Sequence, residues 1–360
     1  MSDKRYRGGA IGRTGRGNYG HGLHLGLAGA DAVDLVALAD PDPRGRREAA
    51  EAVGVERTYE DYREMLDKEA LQIVTVGPRW VDCHEEMLLG CVDAGCHVYC
   101  EKPMAHSLAS ADRMVDAAER AGVKLAVAHQ GVYLPQVQAA KRMLDAGHIG
   151  PLQAIYATGK QDHRGGGEDM IVLGTHLFNL MRFLAGDVAW MSAQVTVGDR
   201  ELRPGDAREA AEPVGLVAGD RIHSCFAFEN GAAGYFVSRA DQPGNGECFG
   251  LELVGRDGRF MMRGGAPTLI AAYPYSVWLP EDETRVWNVL DLETAPFADG
   301  NRLAVLDLIE AIERDRQPLS SGVDAVKALE MVLGAYASQI SGARVAFPMS
   351  DRTHPLEGYA

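Results

Sequence analysis

Gly12-Arg13-Thr14-Gly15-Arg16-Gly17-Asn18-Tyr19-Gly20 follows directly on the apolar run Arg7 to Ile11 and precedes a helical stretch from about His21. It holds Gly-x-Gly-x-x-Gly at Gly15, Gly17 and Gly20. Such glycines make a tight turn, let the backbone approach a pyrophosphate and let a helix pack closely on a sheet, with the phosphates at the helix N-terminus. The pattern alone is weak, and a glycine-rich surface turn is the bland alternative. Its place between a strand and a helix gives it weight, as does Asp40, which closes the second apolar run 20 residues after Gly20, where a ribose-binding carboxylate belongs. The stretch predicts a dinucleotide held by Gly12, Thr14, Gly15, Arg16, Gly17, Asn18, Tyr19, Gly20 and Asp40. A carboxylate accepts from ribose hydroxyls and repels a 2′-phosphate, which favours NAD. Arg44, Arg46 and Arg47 lie just beyond and keep NADP as the lesser alternative.

Outward from that loop, short apolar runs alternate with helical periodicity. After Arg7 to Ile11 the runs are Asp34 to Ala39, Leu71 to Val76, His97 to Cys100 and Lys124 to Ala128. This βαβ order predicts an α/β Rossmann domain, a parallel doubly wound sheet with right-handed crossovers, over residues 1–129. Asp82 and Glu85 stand in capping-box spacing before the stripe Met87, Leu88, Cys91 and Val92, with Gly95 as the stop. Another helix starts after Ser107, turns Leu108, Ala111, Met114, Val115 and Ala118 inward and ends at Gly122.

The character changes after His129. Leu134 to Ala146 reads as a helix, Leu152 to Thr158 as a strand, and Thr175 to Leu184 as a helix opening after the flexible segment Gly165-Gly166-Gly167. Hairpins follow at Arg221 to Phe228 with Ala232 to Arg239, and at Leu251 to Gly255 with Arg259 to Arg263. Thr268 to Leu279 and Arg285 to Leu292 are further strands. Helices over about Asn301 to Glu313 and Val323 to Ile340 and an apolar run at Val345 to Phe347 close the chain.

Composition narrows the function classes. Among 360 residues, 36 Lys and Arg face 51 Asp and Glu, a net charge of −15, and 46% are hydrophobic. Such a balance opposes a sequence-independent grip on nucleic acid, which needs many cations releasing counterions. No apolar run approaches the roughly 18 to 20 residues that span a bilayer, and Met1 to Gly9 is polar, so no membrane contact and a cytoplasmic location are expected. Cys91, Cys96 and Cys100 are spaced x4 and x3 rather than C-x-x-C, which predicts buried reduced thiols and no metal.

At Glu101-Lys102-Pro103, directly after His97 to Cys100, the chain resembles the glucose-fructose oxidoreductase and inositol dehydrogenase (Gfo/Idh/MocA) family. The likeness also covers the glycine loop, Ala39-Asp40-Pro41-Asp42, Gly77-Pro78, His84, Gly174-Thr175-His176 and Ser320-Ser321-Gly322-x-Asp324-Ala325. It implies that residues 130–360 form an α+β domain on an open, mostly antiparallel sheet, which binds substrate and makes homodimers or homotetramers. It implies further that Gly77, Pro78, His84 and Glu101 lie at the cofactor, that Lys102-Pro103 is cis, and that Lys102 reaches the substrate hydroxyl. Chemistry agrees: taking hydride from a carbinol carbon requires removing the hydroxyl proton, and a desolvated Lys beside a cationic nicotinamide ring becomes a usable base. His176 is the second catalytic candidate, able to act as acid or base or to donate to a developing alkoxide.

The chain departs from the family pattern at two positions. Many relatives carry an Asp four residues before the His and another three after it; here stand Val172 and Asn179. Asn179 shares a helix stripe with His176 and can hydrogen-bond a hydroxyl but cannot carry a proton. The relay then rests on Lys102 and His176, or is completed by Asp162 or His163 in the loop Asp162-His163-Arg164-Gly165-Gly166-Gly167-Glu168-Asp169. Arg164 is placed to bind a carboxylate or hydroxyl pair. Trp80 and Tyr133 are candidates to flank a sugar ring, with a core position the equal alternative for each.

The expected function is hydride transfer between NAD and a secondary hydroxyl or ketone of a sugar, glycoside or cyclic polyol. Two alternatives stay open: NAD-assisted elimination or glycoside cleavage without net redox change, and a non-catalytic cofactor-binding regulator, which Val172 and Asn179 suggest.

Overall fold

Six β-strands build the first sheet: β1 (Tyr6–Ile11), β2 (Val33–Ala39), β3 (Arg57–Tyr59), β4 (Ile73–Val76), β5 (His97–Cys100) and β6 (Leu125–Val127). All pair in parallel, in the order β3-β2-β1-β4-β5-β6. Strands covered on both faces lose the polar alternation of half-exposed ones, and all four residues of β4 are buried. A computed structural model describes residues 5–242, 248–264 and 269–360. Met1 to Lys4 of the polar start and Thr268, the first residue of an expected strand, lie outside the described residues.

The crossover helices of this sheet are α1 (Leu23–Ala28), α2 (Pro43–Val53), α3 (Tyr62–Glu69), α4 (His84–Asp93) and α5 (Leu108–Ala121). Asp42 caps α2 by accepting from the Gly45 N–H, and Ser107 caps α5 by accepting from the Ser110 N–H. The capping box expected at Asp82 and Glu85 does not form. α4 has no side-chain cap; Asp82 pairs with Arg16, and Glu85 takes Ser110 and Arg113. Ion pairs with other elements outbid the local cap.

The chain divides into two compact units. One comprises Met1–Gln130, Ala211–Gly215 and Ala298–Val326; the other comprises Gly131–Ala210, Leu216–Phe297 and Lys327–Ala360. In the first, the helix Asp299–Glu313 lies so close on α1 that a Cβ at Gly26 would come 2.5 Å from that of Asn301.

The second unit is built on a mixed, mostly antiparallel sheet. Across it run Asn288–Val289, Leu269–Tyr273, Arg259–Arg263, Gly250–Gly255, Leu152–Thr158, Ala233–Arg239, Arg221–Phe228, Val188–Val197 and Val345–Ala346. Only Leu152–Thr158 with Ala233–Arg239 is parallel. The helix Thr175–Ala185 covers one face, with Phe178 edge-on to Phe226 and Phe236 at 5.7 and 4.8 Å. The opposite face carries Tyr156 and Tyr235, register partners stacked at 4.9 Å and both exposed. Two expected strands shorten: the first ends at Tyr273, and only Asn288–Val289 pairs in the second. The apolar side chains between, Val277 and Trp278 among them, are exposed instead. No helix among the described residues is long and apolar enough to cross a membrane.

Candidate active site

The glycine loop is shaped by what surrounds it. A Cβ on Gly17 would meet the Arg79 amide nitrogen at 2.2 Å, and one on Gly20 would meet the Gly77 carbonyl oxygen and Glu101 Oε1 at 2.4 Å. Gly20 also has φ +62°, the left-handed region. Nothing lies within 4 Å of the corresponding point at Gly15, which leaves the outer side of the turn open to a phosphate. Below it, a cleft of about 360 Å³ is lined by Gly12, Arg13, Asp40, Pro41, Tyr62 and others. That volume is in the range of small-ligand pockets, about 300–1,000 Å³. The cradle and cleft together fit a dinucleotide.

Asp40 is fully buried, and its carboxylate already accepts from the Thr14 N–H (3.0 Å), the Thr14 hydroxyl (2.8 Å) and the Asp42 N–H (2.9 Å). It holds the loop in shape with most of its acceptor capacity, at the wall of the cleft. Arg44 pairs with Glu48, and Arg46 donates to the Asp40 carbonyl oxygen. Arg16 pairs with Asp82 and lies 4.9 Å over the Trp80 ring. One face of Trp80, a candidate sugar platform, is therefore taken by the cofactor loop. Tyr19 is buried, its hydroxyl pushed up by burial and by Asp40. The Asn18 side chain accepts from the Gly15 N–H at 3.0 Å.

Gly77 donates to the Ile11 carbonyl at 2.9 Å, which sets it beneath the loop. His84, expected at the cofactor, is fully buried. Its ring nitrogens lie 3.0 and 2.5 Å from the carbonyl oxygens of Met104 and Pro78. Both nitrogens are spent on joining two backbone segments, so none is offered to a ligand.

At the carboxyl end of β5, Glu101 is fully buried and Lys102 is 3% exposed, and the Lys102-Pro103 bond is cis. Glu101 Oε1 accepts from the His21 N–H at 2.7 Å and lies 2.5 Å from His21 Nδ1; Oε2 accepts from the Lys102 N–H at 2.7 Å. Glu101 therefore clamps the base of the glycine loop to the lysine. Burial alone would push its carboxyl up; the hydrogen bonds and charge of His21 and the charge of Lys102 outweigh burial and hold it below the ordinary value. The His21 carbonyl accepts from Asn301 Nδ2 at 3.0 Å, and Asn301 Oδ1 accepts from the Tyr99 hydroxyl and Gln130. Sequence reasoning missed both residues. His21, a titratable group next to Gly20, carried a usable signal; Asn301, 280 residues away, carried none.

In the second unit, His176 stands in the first turn of Thr175–Ala185, half-buried, with its ring edge-on to Phe297 at 5.7 Å. Asn179, one turn on, is buried. A π-helical segment, Met170–Gly174, leads into this helix and buries Val172. Such segments recur at functional sites. Tyr133 is buried.

The loop before it is tightly built. Cβ atoms on Gly165 and Gly166 would meet the Ala240 amide and the Gly219 carbonyl at 2.2 and 2.5 Å. The three glycines serve close packing, a correction to the flexible segment expected. Asp162 is bound by Arg164 at 2.8 Å and Lys160 at 3.3 Å, and the Arg164 hydrogen bond above all holds its carboxyl far below the usual range. Its charge is shared with these two cations on the same loop. His163 is exposed. Asp169, fully buried, accepts from the Ser238 hydroxyl at 2.6 Å and the Gln161 N–H at 3.1 Å; burial pushes its carboxyl up. Among the described residues no group of three or more His, Cys, Asp or Glu is placed to hold a metal.

Comparison with known proteins agrees with this geometry. Residues 9–129 match the oxidoreductase family's NAD-binding Rossmann fold, and residues 153–347 match its C-terminal alpha/beta domain. The chain is 36% identical to a D-apiose dehydrogenase of Paraburkholderia graminis over 200 residues, 53% of this chain and 52% of that protein. It is 25% identical to a scyllo-inositol 2-dehydrogenase (NAD(+)) of Bacillus subtilis over 344 residues, 91% and 92% of the two chains. In the first matches the chain spans roughly half to two thirds of the relatives' own length. A levoglucosan dehydrogenase solved with NADH and levoglucosan shares the fold at TM-score 0.79 and 19% identity, covering 96% of this chain and all of that one. With the glycine cradle, Glu101-Lys102-Pro103 and both domain matches in place, the chain belongs to the Gfo/Idh/MocA oxidoreductase family, with an NAD-binding Rossmann domain.

Proposed function

We propose that the protein is an NAD-dependent oxidoreductase acting on a secondary hydroxyl, or the matching ketone, of a sugar, glycoside or cyclic polyol. The observation that carries this reading is Lys102: a buried amine at the end of a central parallel strand, joined through Glu101 to the loop that cradles the cofactor. Bound NAD supplies hydride acceptance at the nicotinamide ring. Lys102 takes the hydroxyl proton as that hydride leaves. His176 steadies the developing alkoxide, and Asn179 hydrogen-bonds a neighbouring hydroxyl. The charge of Asp40 opposes a 2′-phosphate, and Arg44 and Arg46, already engaged, offer it little. The named relatives support sugars and polyols as the substrate class.

The same reading places the protein in the cytoplasm, without nucleic acid, as a homodimer or homotetramer. The exposed stack of Tyr156 and Tyr235 on the open sheet face supports self-association there.

The test is to mix the protein with NAD and a panel of sugars, anhydrosugars and inositols and follow reduced nicotinamide by absorbance. Lys102→Met is expected to lower kcat by about a hundredfold or more, the usual scale for a general base. An unchanged initial rate on every substrate turned over would remove Lys102 from the mechanism.

A further inference from the structure

We propose that Asn301 is a positioning residue for the cofactor. It fixes the turn by which the glycine loop enters α1, and through that turn the loop amides that hold the NAD diphosphate. This rests on NAD as the cofactor and on no assignment of substrate or base. Asn301 lies in the stretch 153–347 that matches the family's C-terminal domain, yet it belongs to the compact unit that contains the loop.

The turn has little hold of its own. His21 stands between Gly20 and Gly22, both left-handed at φ +62° and +83°, a conformation that glycine takes freely. The Gly22 and Leu23 N–H groups reach the Tyr19 carbonyl at 3.3 Å, beyond the usual bonding range. The stronger hold comes from outside. Glu101 Oε1 accepts from the His21 N–H at 2.7 Å and Asn301 Nδ2 donates to the His21 carbonyl at 3.0 Å, which fixes the peptide groups on both sides of His21. Of the loop amides, those of Gly15, Arg16, Asn18, Gly20 and His21 donate within the protein, which leaves those of Gly17 and Tyr19 to an anion. Tyr19 is bonded to the turn through its carbonyl, so the turn aims its amide.

An amide suits this place and a carboxylate does not. Asn301 is 2% exposed, and its Oδ1 accepts from the Tyr99 hydroxyl at 2.7 Å and from Gln130 Nε2 at 2.9 Å, which turns the amide nitrogen to the His21 carbonyl. A carboxylate would set an acceptor against that carbonyl. Close packing of the helix Asp299–Glu313 on α1 at Gly26 brings the amide within reach of the turn.

NAD binding is read by isothermal titration calorimetry on the full chain, without turnover. Asn301→Asp is expected to raise the Kd and the KM for NAD about tenfold or more, with kcat at saturating NAD within about threefold. Gly26→Ala removes no hydrogen-bonding side chain, but its Cβ pushes Asn301 off the turn, and a rise in Kd of about threefold or more is expected. Tyr99→Phe removes a donor from the far side of the same amide; it is expected to lower the melting temperature with Kd within about twofold. A Kd like the parent's in Asn301→Asp or in Gly26→Ala overturns the inference, whatever the melting temperatures. An equal rise of Kd in Tyr99→Phe also overturns it, because loss of packing would then account for the effect. If Asn301→Asp does not fold, Gly26→Ala decides alone. A parent that binds no NAD removes the cofactor reading and the inference with it. A parent that binds NAD but oxidises nothing in the panel fails the proposed substrates, while the calorimetry still decides Asn301.

Discussion

Glu101 shows how much one side chain can organise. Its carboxylate fastens the glycine loop to the lysine, and its pKa is held low because His21 and Lys102 outweigh burial. The sign of the pH effect follows. A carboxylate whose folded value is depressed stabilises the fold above its ordinary value of 4.5, and that stability is lost as pH falls through the folded value. Glu101→Gln should therefore melt below the parent at neutral pH, and the gap should close on acidification below about pH 4.5. Thermal melts of both proteins across that range check this; a gap independent of pH would contradict it. At this scale the sequence was partly legible. Gly12 to Gly20, Asp40 and Glu101-Lys102-Pro103 are contiguous signals. The partners of His84, Asp162 and Trp80 were not legible, because a residue's identity does not say which neighbours take up its hydrogen bonds or its ring face.

Among elements, the strands that were legible have one dominant period. Arg221–Phe228 and Ala233–Arg239 bury alternate residues, including Phe226, Phe228 and Phe236, against the helix that carries His176. Phe236 is fully buried and touches Phe178, so Phe236→Ala should cost about 3–5 kcal/mol, read as a lower denaturation midpoint in urea. A loss under about 1 kcal/mol would mean that the site collapses around the gap. The ten-residue strand Val188–Val197 escaped sequence reading for a physical reason. Its buried residues, Val188, Met191 and Val195, recur three and four apart, a helical spacing, and its pairing with Arg221–Phe228 shifts register near Ala227. The edge strand Arg57–Tyr59, with no buried position, offered no apolar run at all.

For the whole molecule, the two units interleave along the chain. Residues of Ala298–Val326 return to the Rossmann unit: Ser320 accepts from the Val127 N–H, Asn301 holds the His21 carbonyl, and Lys124 pairs with Asp315. A fragment ending at Gln130 should lack cooperative unfolding, because Tyr99 and Gln130 lose the buried amide they bond. Adding residues 298–326 by a linker should restore it, which circular dichroism melts of the two fragments would compare; equal cooperativity would refute the dependence. No linear reading shows this return, since the bonds that make it join residues up to 280 positions apart.

That return has a temporal side. A ribosome delivers the glycine loop first and the Asn301 amide 280 residues later, a delay on the order of tens of seconds at about 5–20 residues per second. For that interval the nascent chain carries the cofactor fingerprint without the late helix that holds His21 in place. Termination anywhere between the loop and Ala298 thus yields a polypeptide that displays the motif but lacks the part that fixes it.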